Sequence, residues 1–216
     1  TVTGKNTASS INSQSFGGLT LNSAASTLNI VNGIASGKTL VALGGITRNS
    51  GSTLNFVQPT VFTTISAQNG YTTSTSNDAS GILGAYSTVA GTNWATNNGT
   101  NIVAYAAYTN DAWAALNNTN VTTSGTIADD STTHSLRFNA VAANTLTLGG
   151  TNTITSGGIL VSSAVGNNLT TITGGTLRGS SGGDLVIHQY NSSNSLTVAS
   201  NIADNGTATA LTKSGA

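Results

Sequence analysis

The sequence predicts an all-β fold built as a parallel β-helix, a solenoid of short stacked strands, on three observations. Short apolar-alternating runs closed by small polar turn residues recur along the chain, among them Leu19–Leu21, Thr27–Ile30, Thr39–Val41, Thr145–Leu148, Ile159–Val161 and Ser195–Val198. The polar residues are overwhelmingly Thr, Ser, Asn and Gly, of which Thr favours strands and the others favour turns. Charge is scarce: Asp, Lys and Arg make up 6% of the 216 residues, Glu is absent, and six cations balance six carboxylates.

Spacing separates a solenoid from a sandwich of hairpins. A sandwich calls for two-residue hairpin loops between matched strands of about five or six residues that differ from one another. Here the strands are very short and self-similar, each with one or two core-pointing residues. Two or three such strands make a coil of ~20 residues, and successive coils stack ~4.8 Å apart. Stacking also accounts for the composition, because Asn and Thr placed above one another hydrogen-bond, whereas stacked like charges repel.

Taken in order, three zones emerge. Residues 1–58 hold coils with runs at Phe16–Leu21, Thr27–Val31, Thr39–Leu43 and Thr53–Val57, divided by Asn32-Gly33, Gly44-Gly45 and Asn49-Ser50-Gly51. Residues 59–126 break the beat and read as an excursion packed back on the solenoid. They hold the single Pro, both Trp and four of the five Tyr, and Ala104–Tyr108 and Ala112–Leu116 read there as a short helix or irregular strand. Residues 127–216 resume the beat, with turns at Gly149-Gly150, Gly157-Gly158, Gly174-Gly175 and Asn205-Gly206, and are expected to continue into a longer chain.

Composition excludes several function classes. A neutral chain carries no electrostatic footprint for nucleic acid or an acidic membrane, and no run approaches the ~20 apolar residues of a spanning helix. Absence of Cys excludes a disulfide framework and thiolate metal sites, and is compatible with export. Hydrophobic residues at 37% with no net charge argue for folding rather than disorder. No cofactor is implied.

Few groups invite chemistry. Asp129-Asp130-Ser131-Thr132-Thr133-His134-Ser135-Leu136-Arg137 is the densest titratable cluster and could supply acid and base, but reads more simply as a solvated turn. Asp184 and Asp204 lie about one coil apart and Arg137 and Arg178 about two, so each pair could align as in carbohydrate-active β-helix enzymes. Asp129, Asp130 or Asp184 would carry such an activity. One imperfect glycine-rich stretch, Gly179–Ile187, is similar to a Ca²⁺-binding β-roll repeat, a motif that works only in tandem. Tyr86, Trp94, Tyr105, Tyr108 and Trp113 are candidate contacts for a glycan or a partner protein, against a plain core role. Asn-x-Ser/Thr triplets such as Asn98-Gly99-Thr100 and Asn168-Leu169-Thr170 are inevitable in so Asn- and Thr-rich a chain and do not argue for glycosylation.

Two segments resemble a known family. Leu211-Thr212-Lys213-Ser214-Gly215-Ala216 is similar to the opening of the autotransporter-associated β-strand repeat, also called the passenger-associated transport repeat. Ile82–Ala95 resembles a block common in the same large bacterial surface proteins. The two cover about twenty residues. The resemblance implies a right-handed parallel β-helix in a secreted or surface-displayed passenger whose repeats serve export and an extended stalk, with no common catalytic residue. The chain departs from the family in showing no tandem copy of the full motif and no membrane-barrel segment. The expected protein is thus a structural or adhesive module, extracellular or on a bacterial cell surface, and not an enzyme. Its partners would be adjoining segments of the same long polypeptide, a second copy, or a surface glycan or protein.

Overall fold

The computed structural model describes residues 1–6, 10–34, 36–59 and 64–216. The chain is 52% strand and 1% helix, a β-solenoid of parallel stacked coils making about 8 turns. It divides into two compact units. One comprises Thr1–Leu83, Ser87–Ala90 and Trp94–Tyr105; the other comprises Gly84–Tyr86, Gly91–Asn93 and Ala106–Ala216.

In the first unit two successive coils have three strands each. Ile11–Ser15, Gly18–Leu21 and Ala25–Val31 lie in parallel register under Lys38–Ala42, Gly45–Arg48 and Thr53–Val57. The third coil adds Gly70–Thr72 above Leu40–Ala42 and Ser87–Val89 above Leu54–Phe56. Alternation fixes which side chains face inward, and Ile30, Val41, Leu54, Phe56 and Tyr71 are accordingly buried. The Phe56 and Tyr71 rings meet at 5.1 Å and 58°, a tilted contact of the kind aromatic pairs prefer.

Coils are longer than the ~20 residues expected from strand spacing. Gly18 faces Gly45 and Ala25 faces Thr53, offsets of about 27 residues. Three strands of four to seven residues leave room in ~20 residues for hardly any corner, and real corners such as Asn22–Ala24 and Asn49–Ser52 take up the difference.

Residues 59–126 are part coil and part lateral packing. Gly70–Thr72, Ser87–Val89 and Thr109–Asn110 all keep parallel register with coil strands. The departure is an antiparallel hairpin, Asn93–Asn97 with Ile102–Ala104, and irregular connections at 105–108 and 112–116, where no helix forms. Residues 60–63 lie outside the described residues.

The second unit is also three-faced. The 18-residue strand Asn144–Val161 rounds a whole coil. It pairs with Gly125–Ile127 on one face, Thr132–Thr133 on the next and Ser135–Phe138 on the third. It bends at Gly150 (φ 44°) and Gly157 (φ 77°), and only glycine fits Gly157 without strain because a Cβ there would strike the Asp184 carbonyl. Inside, residues stack by type: Leu136 on Ile159 on Ile187, Leu146 on Ile172 on Val198, and Phe138 on Val161. Between coils, neutral polar ladders form as expected. Ser135 Oγ donates to Asn118 Oδ1 at 2.7 Å, Asn120 Nδ2 to Asn110 Oδ1 at 2.9 Å, and Asn49 Nδ2 to Asn22 Oδ1 at 2.9 Å.

The middle and the last strand of the stack should respond differently to truncation. Ile159 is 0% exposed at mid-stack, whereas Leu211 on the last strand is 59% exposed. Ile159→Ala is expected to cost about 2–5 kcal/mol, and Leu211→Ala well under about 1 kcal/mol, measured by urea unfolding.

Candidate functional site

The five aromatic candidates are divided between the two units. In the first, Trp94 is fully buried in strand Asn93–Asn97, so its ring is core rather than an exposed face. Tyr105 is half-buried and its amide donates to the Trp94 carbonyl at 2.8 Å. In the second, Tyr86 is 8% exposed, Trp113 is half-buried against the apolar cluster of Leu136, Ile154 and Ile159, and Tyr108 lies 3.7 Å beneath the Arg137 guanidinium. Tyr105 and Tyr108 are the two that keep appreciable exposure without being built into that apolar cluster.

The carboxylates do not assemble. Asp129 and Asp130 are exposed in a turn, where Asp129 Oδ1 accepts the amides of Asp130 (2.9 Å) and Thr151 (2.6 Å). Asp184 is buried and accepts the Thr212 hydroxyl at 2.6 Å. Register places Ala210 opposite Asp184, while Asp204 sits in an exposed turn and takes the Thr209 amide at 2.7 Å. Arg137 stacks with Asn120 and Leu160, and Arg178 with Thr153 and Ala203, so the arginines occupy different columns. A coil longer than the expected ~20 residues undoes both alignments. Among the described residues no three His or Asp side chains gather as a metal site, and no helix is long and apolar enough to cross a membrane.

The sequence pattern does not reveal a covered outer column. Arg137, Leu160 and His188 point away from the interior of the coil, yet Leu160 and His188 are 0% exposed. Segments Gly84–Tyr86 and Gly91–Asn93 supply the cover. Arg137 Nε donates to Asn120 Oδ1 at 2.9 Å and its guanidinium reaches Asn93 Oδ1 and the Thr92 carbonyl. Burial lowers its pKa and Tyr108 opposes that shift; the group stays charged.

His188 is held on both sides. Nε2 faces the Ala85 carbonyl at 2.8 Å and Nδ1 the Ser214 Oγ at 2.8 Å. A carbonyl can only accept, so Nε2 carries a proton, and in the neutral imidazole Nδ1 accepts from the Ser214 hydroxyl. Tyr190 stacks on the imidazole at 5.9 Å and 10°. Gly91 permits this, since a Cβ there would fall 2.7 Å from the Tyr190 ring. Nucleophile and base are thus within bonding reach, but both are enclosed and the third partner is a carbonyl, which cannot stabilise an imidazolium as a carboxylate does. The arrangement positions the cover on the stack. Only a partner 103 residues away reveals it, and no local pattern encodes that distance.

Beside this column, the last coil carries an apolar hollow of about 650 Å³, lined by Ile187, Leu196, Val198, Ile202 and Leu211 together with polar groups that include Gln189 and Lys213. These residues continue inner columns. Val198 follows Ile172, Ile202 follows Leu177 and Leu211 follows Leu185. The earlier residue of each pair is 0% exposed, but Ile202 and Leu211 are 44% and 59% exposed. The hollow thus has the apolar chemistry of the solenoid's interior columns. In the first unit a smaller hollow of about 450 Å³ opens on Leu19, Leu21, Leu28 and Leu54.

Arg137→Lys keeps the charge but loses the flat guanidinium over Tyr108 and its Nε bond, and is expected to destabilise the second unit by about 1–3 kcal/mol in thermal or denaturant unfolding. Asp111 generates a pH prediction. Burial pushes its carboxyl up, but hydrogen bonds from Thr122 and Thr123 outweigh that and hold it below its ordinary value. Its stabilising contribution is therefore complete above the unfolded-state pKa and disappears as pH falls through the lower folded value. NMR titration should show Asp111 ionised below the ordinary carboxylate range, and Asp111→Asn should remove that part of the acid dependence of unfolding. No protein-family model, curated protein or solved structure matches the chain.

Proposed function

We propose that the chain is a structural module of a large bacterial secreted or cell-surface protein, serving as stalk, filament or passenger segment without catalysis of its own. The observation that carries this reading is the last coil. Its outer surface has the chemistry of a solenoid interior, with Ile202 and Leu211 exposed directly above the fully buried Leu177 and Leu185. Such a surface suits a further coil, from the same polypeptide or a second copy, better than a small polar substrate. Each additional layer would bury an apolar face and continue three parallel ladders, so that load passes along hydrogen-bonded coils. The dispersal of Asp129, Asp184 and Asp204 speaks against the alternative of a glycosidase with paired carboxylates flanking one bond. The family resemblance of Ile82–Ala95 and Leu211–Ala216 points in the same direction and supplies the expectation of export.

Sedimentation over a range of concentrations tests the reading. Reversible association is expected for the wild type and should be abolished in the Ile202→Asp/Leu211→Asp double variant with its circular dichroism unchanged. A wild type that remains monomeric throughout, or that cleaves a polysaccharide in a manner lost on Asp129→Asn or Asp184→Asn, would overturn it.

A further inference from the structure

Six Asn-x-Ser/Thr triplets occur in the chain, headed by Asn98, Asn117, Asn120, Asn168, Asn191 and Asn205. Composition makes their number unsurprising, but the fold treats them unequally. Five have the side-chain nitrogen engaged. Asn117 Nδ2 donates to the Ala112 carbonyl at 3.1 Å, Asn120 Nδ2 to Asn110 Oδ1 at 2.9 Å, and Asn168 Nδ2 to the Val165 carbonyl at 2.7 Å. Asn191 Nδ2 donates to the Gly166 carbonyl at 2.8 Å and Asn205 Nδ2 to the Gly179 carbonyl at 3.1 Å. All five residues are buried or half-buried, and each bond closes a turn or ties one stretch of chain to another.

Asn98 differs on every count. It is exposed together with Gly99 and Thr100 at the tip of the hairpin joining Asn93–Asn97 to Ile102–Ala104. Its side chain acts only as an acceptor, Oδ1 taking the amides of Thr100 at 3.0 Å and Asn101 at 2.8 Å. Those two bonds hold the carboxamide in one orientation, and among the described residues Nδ2 and the Thr100 hydroxyl have no protein partner. The tip is stiff for its size, since the Asn98 amide also donates to the Asn101 carbonyl at 3.0 Å. Gly99 has φ 90°, and a Cβ placed on it would meet nothing within 4 Å among the described residues, so the residue beside Asn98 lies open.

We infer that Asn98 is the acceptor of an N-linked sugar, delivered from a phosphate-activated donor by an asparagine glycosyltransferase. In the transfer a bond forms between Asn98 Nδ2 and the anomeric carbon as the bond from that carbon to the phosphate oxygen breaks. The phosphate-bearing group leaves with the electron pair, and one Nδ2 proton passes to a base of the transferase. The product retains Oδ1 as acceptor, so the turn that presents Asn98 survives modification and the sugar projects from the hairpin into solvent. Accessibility of this nitrogen is independent of the structural-module reading and stands or falls separately from it. A competing reaction of the same residue is deamidation through the Gly99 amide, but that N–H is already donated to Asn97 Oδ1 at 3.0 Å.

The test is incubation of the folded chain with a soluble asparagine glycosyltransferase and UDP-glucose, followed by peptide mass mapping, with a proteolytic digest of the same chain as the unfolded control. The expected result is one hexose, on the peptide containing Asn98, absent in Asn98→Gln and Thr100→Ala and unchanged in Asn205→Gln, while the digest is modified at several triplets. The inference is overturned if the folded chain stays unmodified while the Asn98 peptide of the digest is modified, or if Asn168 or Asn205 in the folded chain reacts as fully as Asn98.

Discussion

Parallel in-register stacking governs this molecule, because each strand residue sits on the residue one coil earlier at the ~4.8 Å spacing of neighbouring strands. Whatever a column contains it contains repeatedly, and a charge would lie at that distance from its like. The charged residues obey this. Arg137 has Asn120 and Leu160 as neighbours in its column, Arg178 has Thr153 and Ala203, and Asp184 has Ala210. Asp129, Asp130 and Asp204 are placed in exposed turns, outside the ladders. Scarcity of charge is therefore a condition of the stack, and the neutral Asn, Ser and Thr ladders take the place that ion pairs hold on other folds.

Corners escape the constraint, which is why coil length drifts while strand register does not. Thr132 faces Thr153 about 21 residues on, whereas Gly158 faces Val186 about 28 residues on. The register shifts between Thr133 and Ser135 and between Leu148 and Thr151 fall at bends of the coil. Extra residues at a bend cost little as long as they can reach solvent. The same freedom allows the hairpin and the cover over Leu160 and His188 to be inserted without disturbing the columns beneath.

This division decides what could be read from sequence. The columns were legible, since Leu146, Leu148 and Ile172 sit in alternating Thr-rich runs whose period alone specifies a buried face. The neutral ladders were legible from the same composition. Coil length was not, because strand spacing counts faces and not the residues spent in corners, and the Asp184–Asp204 and Arg137–Arg178 alignments failed with it. Burial of Trp94 and Tyr86 could not be told from exposure by residue type, as both fates suit an aromatic ring. The contact of His188 with Ala85 is set by how a distant segment folds back on the stack, information that no local window holds.

At the last coil two opposite pressures meet. Val198, Ile202 and Leu211 present an apolar layer that favours cover, yet the column Leu136, Ile159, Ile187 is followed by Lys213. An inward-facing charge on a free edge strand is a known means of discouraging indiscriminate pairing. The Lys213 ammonium donates to the Ala216 carbonyl, and a flat apolar strand laid on this edge would desolvate it without satisfying its remaining N–H groups, a cost that offsets the burial of apolar side chains. A coil that brings a carbonyl or hydroxyl over Lys213 while placing apolar side chains over Ile202 and Leu211 meets both requirements, because the lysine stem can itself lie along the apolar surface. On the proposed reading, the apolar layer would supply affinity and Lys213 would restrict which layer can use it, favouring an ordered continuation of the stack over random aggregation.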